Sequence, residues 1–142
     1  MMKAKKGFTL VEILIVVVIL GILAAIVIPQ FTNASTEARE SSLRSNLQAM
    51  RSQIELYKIQ HKEALPAVAD FSTQMTTVTD IDGVAWVSGT AYGPYMREIP
   101  NNPFSNGNSV DGSGDWTYSA TDGSFIANDG EDSPDGTAHD TL

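Results

Sequence analysis

Glu12 is the one charged residue between Phe8 and Gln30, and it stands at the mouth of a stretch whose composition excludes water. A carboxylate placed in hydrocarbon costs about 2.5 to 3.5 kcal/mol, so it requires a cationic partner. Other reactive side chains are few. The chain has no cysteine, which rules out a disulfide, a thiolate nucleophile and a cysteine-based metal site. Of its two histidines, His61 continues an apolar helical stripe and reads as a packing or surface residue. His139 stands beside Asp140 in the acidic last segment, a poor place to hold geometry. Covalent and acid-base catalysis need a nucleophile fixed near a base. No Gly-x-Ser-x-Gly elbow or phosphate-cradling glycine loop is present, and an enzyme is not expected. From Val110 onward stand eight acids, Asp111, Asp115, Asp122, Asp129, Glu131, Asp132, Asp135 and Asp140, with no Lys or Arg. Such a cluster is either a solvated acidic tail or a source of oxygen ligands for a hard cation such as Ca²⁺. Its spacing is not that of an EF-hand loop.

The elements that position these residues follow from hydropathy and spacing. Residues 13–28 are 16 consecutive apolar positions, and the run extended back to Phe8 has 21. As an α-helix that is about 31 Å, the depth of a bilayer core. Lys3, Lys5 and Lys6 precede it, which holds that end in the cytoplasm and sends the far side of the helix across the membrane. Pro29 lacks an N–H and crowds the carbonyl four residues back, so it either kinks the helix or ends it. Residues 30–62 contain no Gly or Pro, and Leu43, Leu47, Met50, Ile54, Tyr57 and His61 recur at alternating steps of 4 and 3. That is one stripe of a half-buried helix. Glu37, Arg39, Glu40, Arg44, Arg51, Glu55 and Lys58 lie off the stripe, as a solvated face or as pairs between subunits.

Glu63-Ala64-Leu65-Pro66 ends this helix. Val68, Phe71, Met75 and Val78 suggest a short amphipathic helix within 67–80, and residues 84–87 are apolar and β-prone. Three prolines between Pro94 and Pro103 exclude a continuous strand or helix there. Residues 116–127 read as a hairpin turning on Asp122-Gly123 as a type I′ turn. That turn sets Ala120 opposite Phe125 and Tyr118 opposite Ala127. Trp116, Tyr118, Ala120, Phe125 and Ala127 would then share the face toward the helix stripe. The fold class is α+β, a long N-terminal α-helix packed on a small C-terminal antiparallel β-sheet. At 142 residues there is room for one domain beyond the membrane stretch. The formal net charge of −8 argues against nucleic acid as a partner, since phosphate contacts need clustered Lys and Arg.

Lys5, Lys6 and Gly7, then Phe8-Thr9-Leu10-Val11-Glu12, a long apolar helix and Pro29, resemble the prepilin signal of the type IV pilin and type II secretion pseudopilin superfamily. The resemblance implies a pilin-like fold in three parts: leader 1–7, transmembrane assembly helix 8–29, and periplasmic head 30–142 including the amphipathic half of the long helix. A prepilin peptidase would cut between Gly7 and Phe8 and Phe8 would be N-methylated. Removal of the leader lysines leaves 6 bases against 17 acids, a net −11. Glu12 would answer the Phe8 ammonium of a neighbouring subunit, and Pro29 would bend a continuous helix. Partners would be further copies of the chain, the processing enzyme, minor pseudopilins and an inner-membrane assembly platform.

Gly93, Tyr95, Arg97, Pro100, Pro103 and Phe104 are similar to a segment of major pseudopilins. Asp122-Gly123 with Asn128-Asp129 resembles their calcium loop, which implies a site from Asp122, Asn128, Asp129 and Asp132. Gly130 departs from that pattern, standing where an aspartate is expected. Two other readings stay open: a surface pilin for adhesion, motility or DNA uptake, and an exported binding protein cut by signal peptidase near Asn33-Ala34-Ser35.

Overall fold

An uninterrupted apolar run followed by a Gly- and Pro-free amphipathic run favours one continuous helix. In the computed structural model, which describes residues 7–111 and 114–142, α1 spans Leu10–Gln60. It is followed by α2 (Phe71–Thr76), β1 (Trp116–Tyr118) and β2 (Phe125–Ala127), with 3-10 turns at Val68–Asp70 and His139–Thr141. The leader residues Lys3, Lys5 and Lys6 lie outside the described residues. The chain divides into two compact units, Met1–Glu37 and Ala38–Leu142.

In the first unit the helix carries on through Pro29, so it does not end there. Pro29 has no N–H to give the Ala25 carbonyl. Just beyond it, the Thr32 hydroxyl donates to the Ile28 carbonyl at 3.2 Å. Every large apolar side chain from Phe8 to Phe31 is at least 41% exposed, and the helix is long and apolar enough to cross a membrane.

The second unit is built on the stripe. Leu43, Leu47, Met50, Ile54, Tyr57 and His61 are all at most 2% exposed. They form one core with Phe71 and Met75 of α2, Tyr95, Ile99, and Trp116, Tyr118, Phe125 and Ala127 of the hairpin. The proline-rich segment docks on this core by backbone groups, a carbonyl in one place and two amides in another. Trp116 Nε1 donates to Pro100 O at 2.9 Å, and the amides of Tyr95 and Met96 both donate to Met75 O. Within 67–80, only the positions 71–76 form an α-helix, and Val68 stays 43% exposed. The threonines there bond their own backbone; the hydroxyls of Thr76 and Thr77 donate to the carbonyls four residues back.

The hairpin differs from the expected register. Trp116 pairs with Ala127, Thr117 with Ile126 and Tyr118 with Phe125, a slip of two residues. A type I′ turn requires positive φ at both central residues; Gly123 has φ 77°, but Asp122 is not in that region. Instead the amides of Ser119 and Gly123 donate to Ser124 O and Ser119 O, closing a four-residue loop over 120–123. Gly123 is needed there, because a Cβ at that position would sit 3.0 Å from Leu65 Cδ2. A slip of two preserves the side-chain faces, so Trp116, Tyr118, Phe125 and Ala127 remain buried and only Ala120 leaves the face. Residues 84–87 form no strand; Ala85 makes a single bridge to Thr79.

Candidate functional site

The start of α1 is a capping box. Thr9 precedes the first helical residue, its hydroxyl accepts the Glu12 amide at 3.2 Å, and Glu12 Oε2 accepts both the Thr9 amide and the Thr9 hydroxyl at 2.9 Å. This reciprocal arrangement satisfies two donors that a helix start otherwise leaves open. Its signal in the sequence is Thr9-x-x-Glu12 ahead of an apolar run. Only one oxygen is used; Glu12 Oε1 has no partner among the described residues. Gly7 and Phe8 are exposed, Phe8 at 83%. The box orients the carboxylate at the helix start.

The four residues expected to hold calcium do not gather into one site. Asp122 Oδ1 accepts from the Ser124 amide and hydroxyl within its own loop. Asn128 Nδ2 donates to Gly114 O. Asp129 turns inward: Oδ1 accepts from the Glu131 amide and faces His139 Nδ1 at 2.9 Å, and Oδ2 accepts from Asn102 Nδ2 at 2.8 Å. Asp132 is exposed and lines a cleft with Asn128, Glu131 and Asp140. Among the described residues no three acids or histidines stand grouped around a point that a cation could fill. The donor set as built does not fit the ion, because the buried histidine and asparagine already engage its central aspartate.

That inward turn belongs to a cluster whose members lie far apart in the sequence. His139, expected to be loosely held, is 1% exposed, and Glu40, expected on the surface, is 8% exposed. His139 Nε2 lies 3.0 Å from Glu40 Oε2. Neither atom has a hydrogen bond, so the two meet at close range without an aligned N–H. Glu40 Oε1 accepts from Arg44 Nε at 2.9 Å and from the Ser133 hydroxyl at 2.6 Å. The two histidine nitrogens thus face one carboxylate each. The Ser133 hydroxyl donates to Glu40, and both histidine nitrogens face acids rather than a hydroxyl. The arrangement is a structural clamp between α1 and the segment after β2.

Asn102, fully buried between two prolines, extends it. Its Nδ2 also donates to Asp115 O, and its Oδ1 accepts the Phe104 amide. Nearby, Arg51 leaves the expected surface to donate to Phe125 O at 3.0 Å. His61 behaves as expected, stacked on Tyr57 at 3.8 Å.

Hydrogen bonds from the Ser105 and Ser109 hydroxyls and the Ser109 amide hold the Asp115 carboxyl down at about 2. A carboxyl depressed in the folded state stabilises above its unfolded pKa, near 4, and that contribution is lost as pH falls through about 2. The wild-type melting temperature should therefore fall between pH 4 and 2. In Asp115→Asn part of that fall should disappear, as read by circular dichroism melts; identical profiles would contradict the assignment.

The family described as "Prokaryotic N-terminal methylation motif" matches residues 2–28. A fimbrial protein of Pseudomonas aeruginosa is 38% identical over 86 residues, 58% of this chain and 56% of its own. The type IV major fimbrial protein FimA of Dichelobacter nodosus is 47% identical over 64 residues, 45% of this chain and 41% of its own. The type II secretion system core protein G of Dickeya chrysanthemi is 38% identical over 111 residues, 73% of this chain and 66% of its own. The chain spans about half the length of the fimbrial relatives it matches. No solved structure gives a significant match.

Proposed function

Because the chain belongs to the type IV pilin and type II secretion pseudopilin superfamily, we propose that it is the repeating subunit of a filament, the major pseudopilin of a type II protein secretion system. The observation that carries assembly is Glu12, a charge with one oxygen unpartnered among the described residues, at the mouth of an apolar helix. In the bilayer it draws in the ammonium that cleavage between Gly7 and Phe8 exposes on an adjoining copy. Helix-on-helix burial of residues 8–29, with Pro29 inside the continuous helix, then drives polymerisation. The precursor is a single-pass inner-membrane protein with its head in the periplasm. A prepilin peptidase processes and methylates it, and it joins minor pseudopilins on an assembly platform. The role is structural rather than catalytic.

A secretion filament is favoured over a surface pilus by the reach of the likeness, which covers 73% of this chain for a core protein G and 58% for a fimbrial protein. Deleting the gene separates the two. The expected result is secreted proteins retained in the periplasm with surface fibres unchanged; loss of fibres with normal secretion would favour the pilus.

A further inference from the structure

An asparagine side chain can be lost to water without an enzyme when the amide nitrogen of the next residue attacks its carbonyl carbon. The fold decides which asparagines permit this. The chain has seven. Asn33 and Asn46 lie inside α1, where the amides that follow them are committed to the helix ladder. The amide after Asn101 belongs to Asn102 and donates to Gly107 O at 2.7 Å. Asn102 is followed by Pro103, which has no N–H. The amide after Asn108 donates to Asp115 Oδ2 at 2.9 Å, and Asn108 Nδ2 is itself held by Ile99 O. Asn128 Nδ2 is held by Gly114 O at 2.8 Å. Asn106 meets none of these restraints. It is exposed, and among the described residues neither its side chain nor the Gly107 amide makes a hydrogen bond. Its neighbour must also be glycine. A Cβ at position 107 would sit 2.3 Å from Asp115 Oδ2, so the packing that seats the Asp115 carboxylate leaves the attacking amide with no side chain to shield it. Asn106 itself stands at φ 62°, a left-handed conformation that asparagine adopts more readily than most residues.

We propose that Asn106-Gly107 is a self-modification site of the folded head, with water as the co-reactant. Gly107 N bonds to Asn106 Cγ, and the side-chain nitrogen leaves as ammonia, taking up the proton that the Gly107 amide gives up. Water then opens the cyclic imide at either carbonyl, leaving aspartate or isoaspartate at position 106. The consequence reaches the core. Either product places a negative charge beside the glycine on which Asp115 packs. Isoaspartate also lengthens the backbone by one carbon inside a loop closed by Asn102 N to Gly107 O and by Asn106 N to Asn102 O at 2.8 Å. Asn102 anchors both the Asp115 carbonyl and the Asp129 carboxylate, so the change loosens the base of the clamp. The proposal is independent of the filament reading.

Full-length protein in detergent, incubated at mildly alkaline pH and mapped by peptide mass spectrometry, should show the mass change of amide to acid at residue 106. Aspartate and isoaspartate should separate as two products, and in water labelled with heavy oxygen the new carboxyl should carry the label. The other six asparagines should stay unchanged. An Asn106 that remains intact while the same segment converts in urea would overturn the proposal, as would earlier conversion at any other asparagine. The melting temperature should fall in step with conversion. Asn106→Gln, incubated alongside, should keep its own, because glutamine closes the larger ring far more slowly. An equal fall in that variant would overturn the link between position 106 and the core.

Discussion

Glu12→Val is expected to leave the cut after Gly7 intact and to abolish fibres. The valine variant inserts into the bilayer more easily than the wild type, since it no longer carries a carboxylate into hydrocarbon. Assembly suffers for the opposite reason, because the Phe8 ammonium of the adjoining copy now enters the apolar bundle with nothing to meet it. An unpaired charge there costs about 2.5 to 3.5 kcal/mol, on the order of a hundredfold in each subunit contact. The capping box supplies a control. Glutamine at the same position keeps an acceptor for the Thr9 amide but carries no charge, so Glu12→Gln should fail as badly as Glu12→Val if pairing is what matters. Fibre yield after shearing, set against the gel mobility of the processed chain, checks both variants. Normal assembly by either would contradict the pairing role.

His139→Ala is expected to destabilise the head by about 3 to 5 kcal/mol, because it takes one close partner from each of two buried carboxylates. Glu40 keeps Arg44 and Ser133 on Oε1 while its Oε2 is left without a partner among the described residues, and Asp129 keeps the Asn102 amide and the Glu131 backbone. For a domain of this size the loss corresponds to a drop in melting temperature of about 12 °C or more. Glu40→Ala should cost about as much. The double variant should cost clearly less than the two added together, since residues in one network do not act independently. Near-ultraviolet circular dichroism of the full chain in detergent follows the buried Trp116 through the melt. A change of less than about 1 kcal/mol would show that water, rather than the protein, satisfies these groups.

The parts of this protein governed by periodicity were legible in its residues. All six stripe positions from Leu43 to His61 are buried as their spacing implies, and the hairpin's inward face is that of alternation along Trp116, Thr117 and Tyr118. Glu12, too, announces itself as a charge where none is affordable. What escaped reading depends on partners distant in the chain. Glu40 looks like any other acid on a solvated helix face until the segment 129–139 lies over it, and nothing near Glu40 in sequence announces His139, 99 positions later. Asp129 reads as a calcium ligand rather than as a partner of His139 for the same reason. The turn was missed by a local competition, because Ser119 and Ser124 offer the backbone and the Asp122 side chain a wider loop than Asp-Gly alone would make.

The amine that neutralises Glu12 exists only if the chain is cut after Gly7, so the mass of the protein taken from its native membrane tests the account at its root. Intact mass and N-terminal fragmentation should give a chain beginning at Phe8 and carrying one added methyl group. A chain still bearing Lys3, Lys5 and Lys6, or one beginning near Ser35, would contradict it.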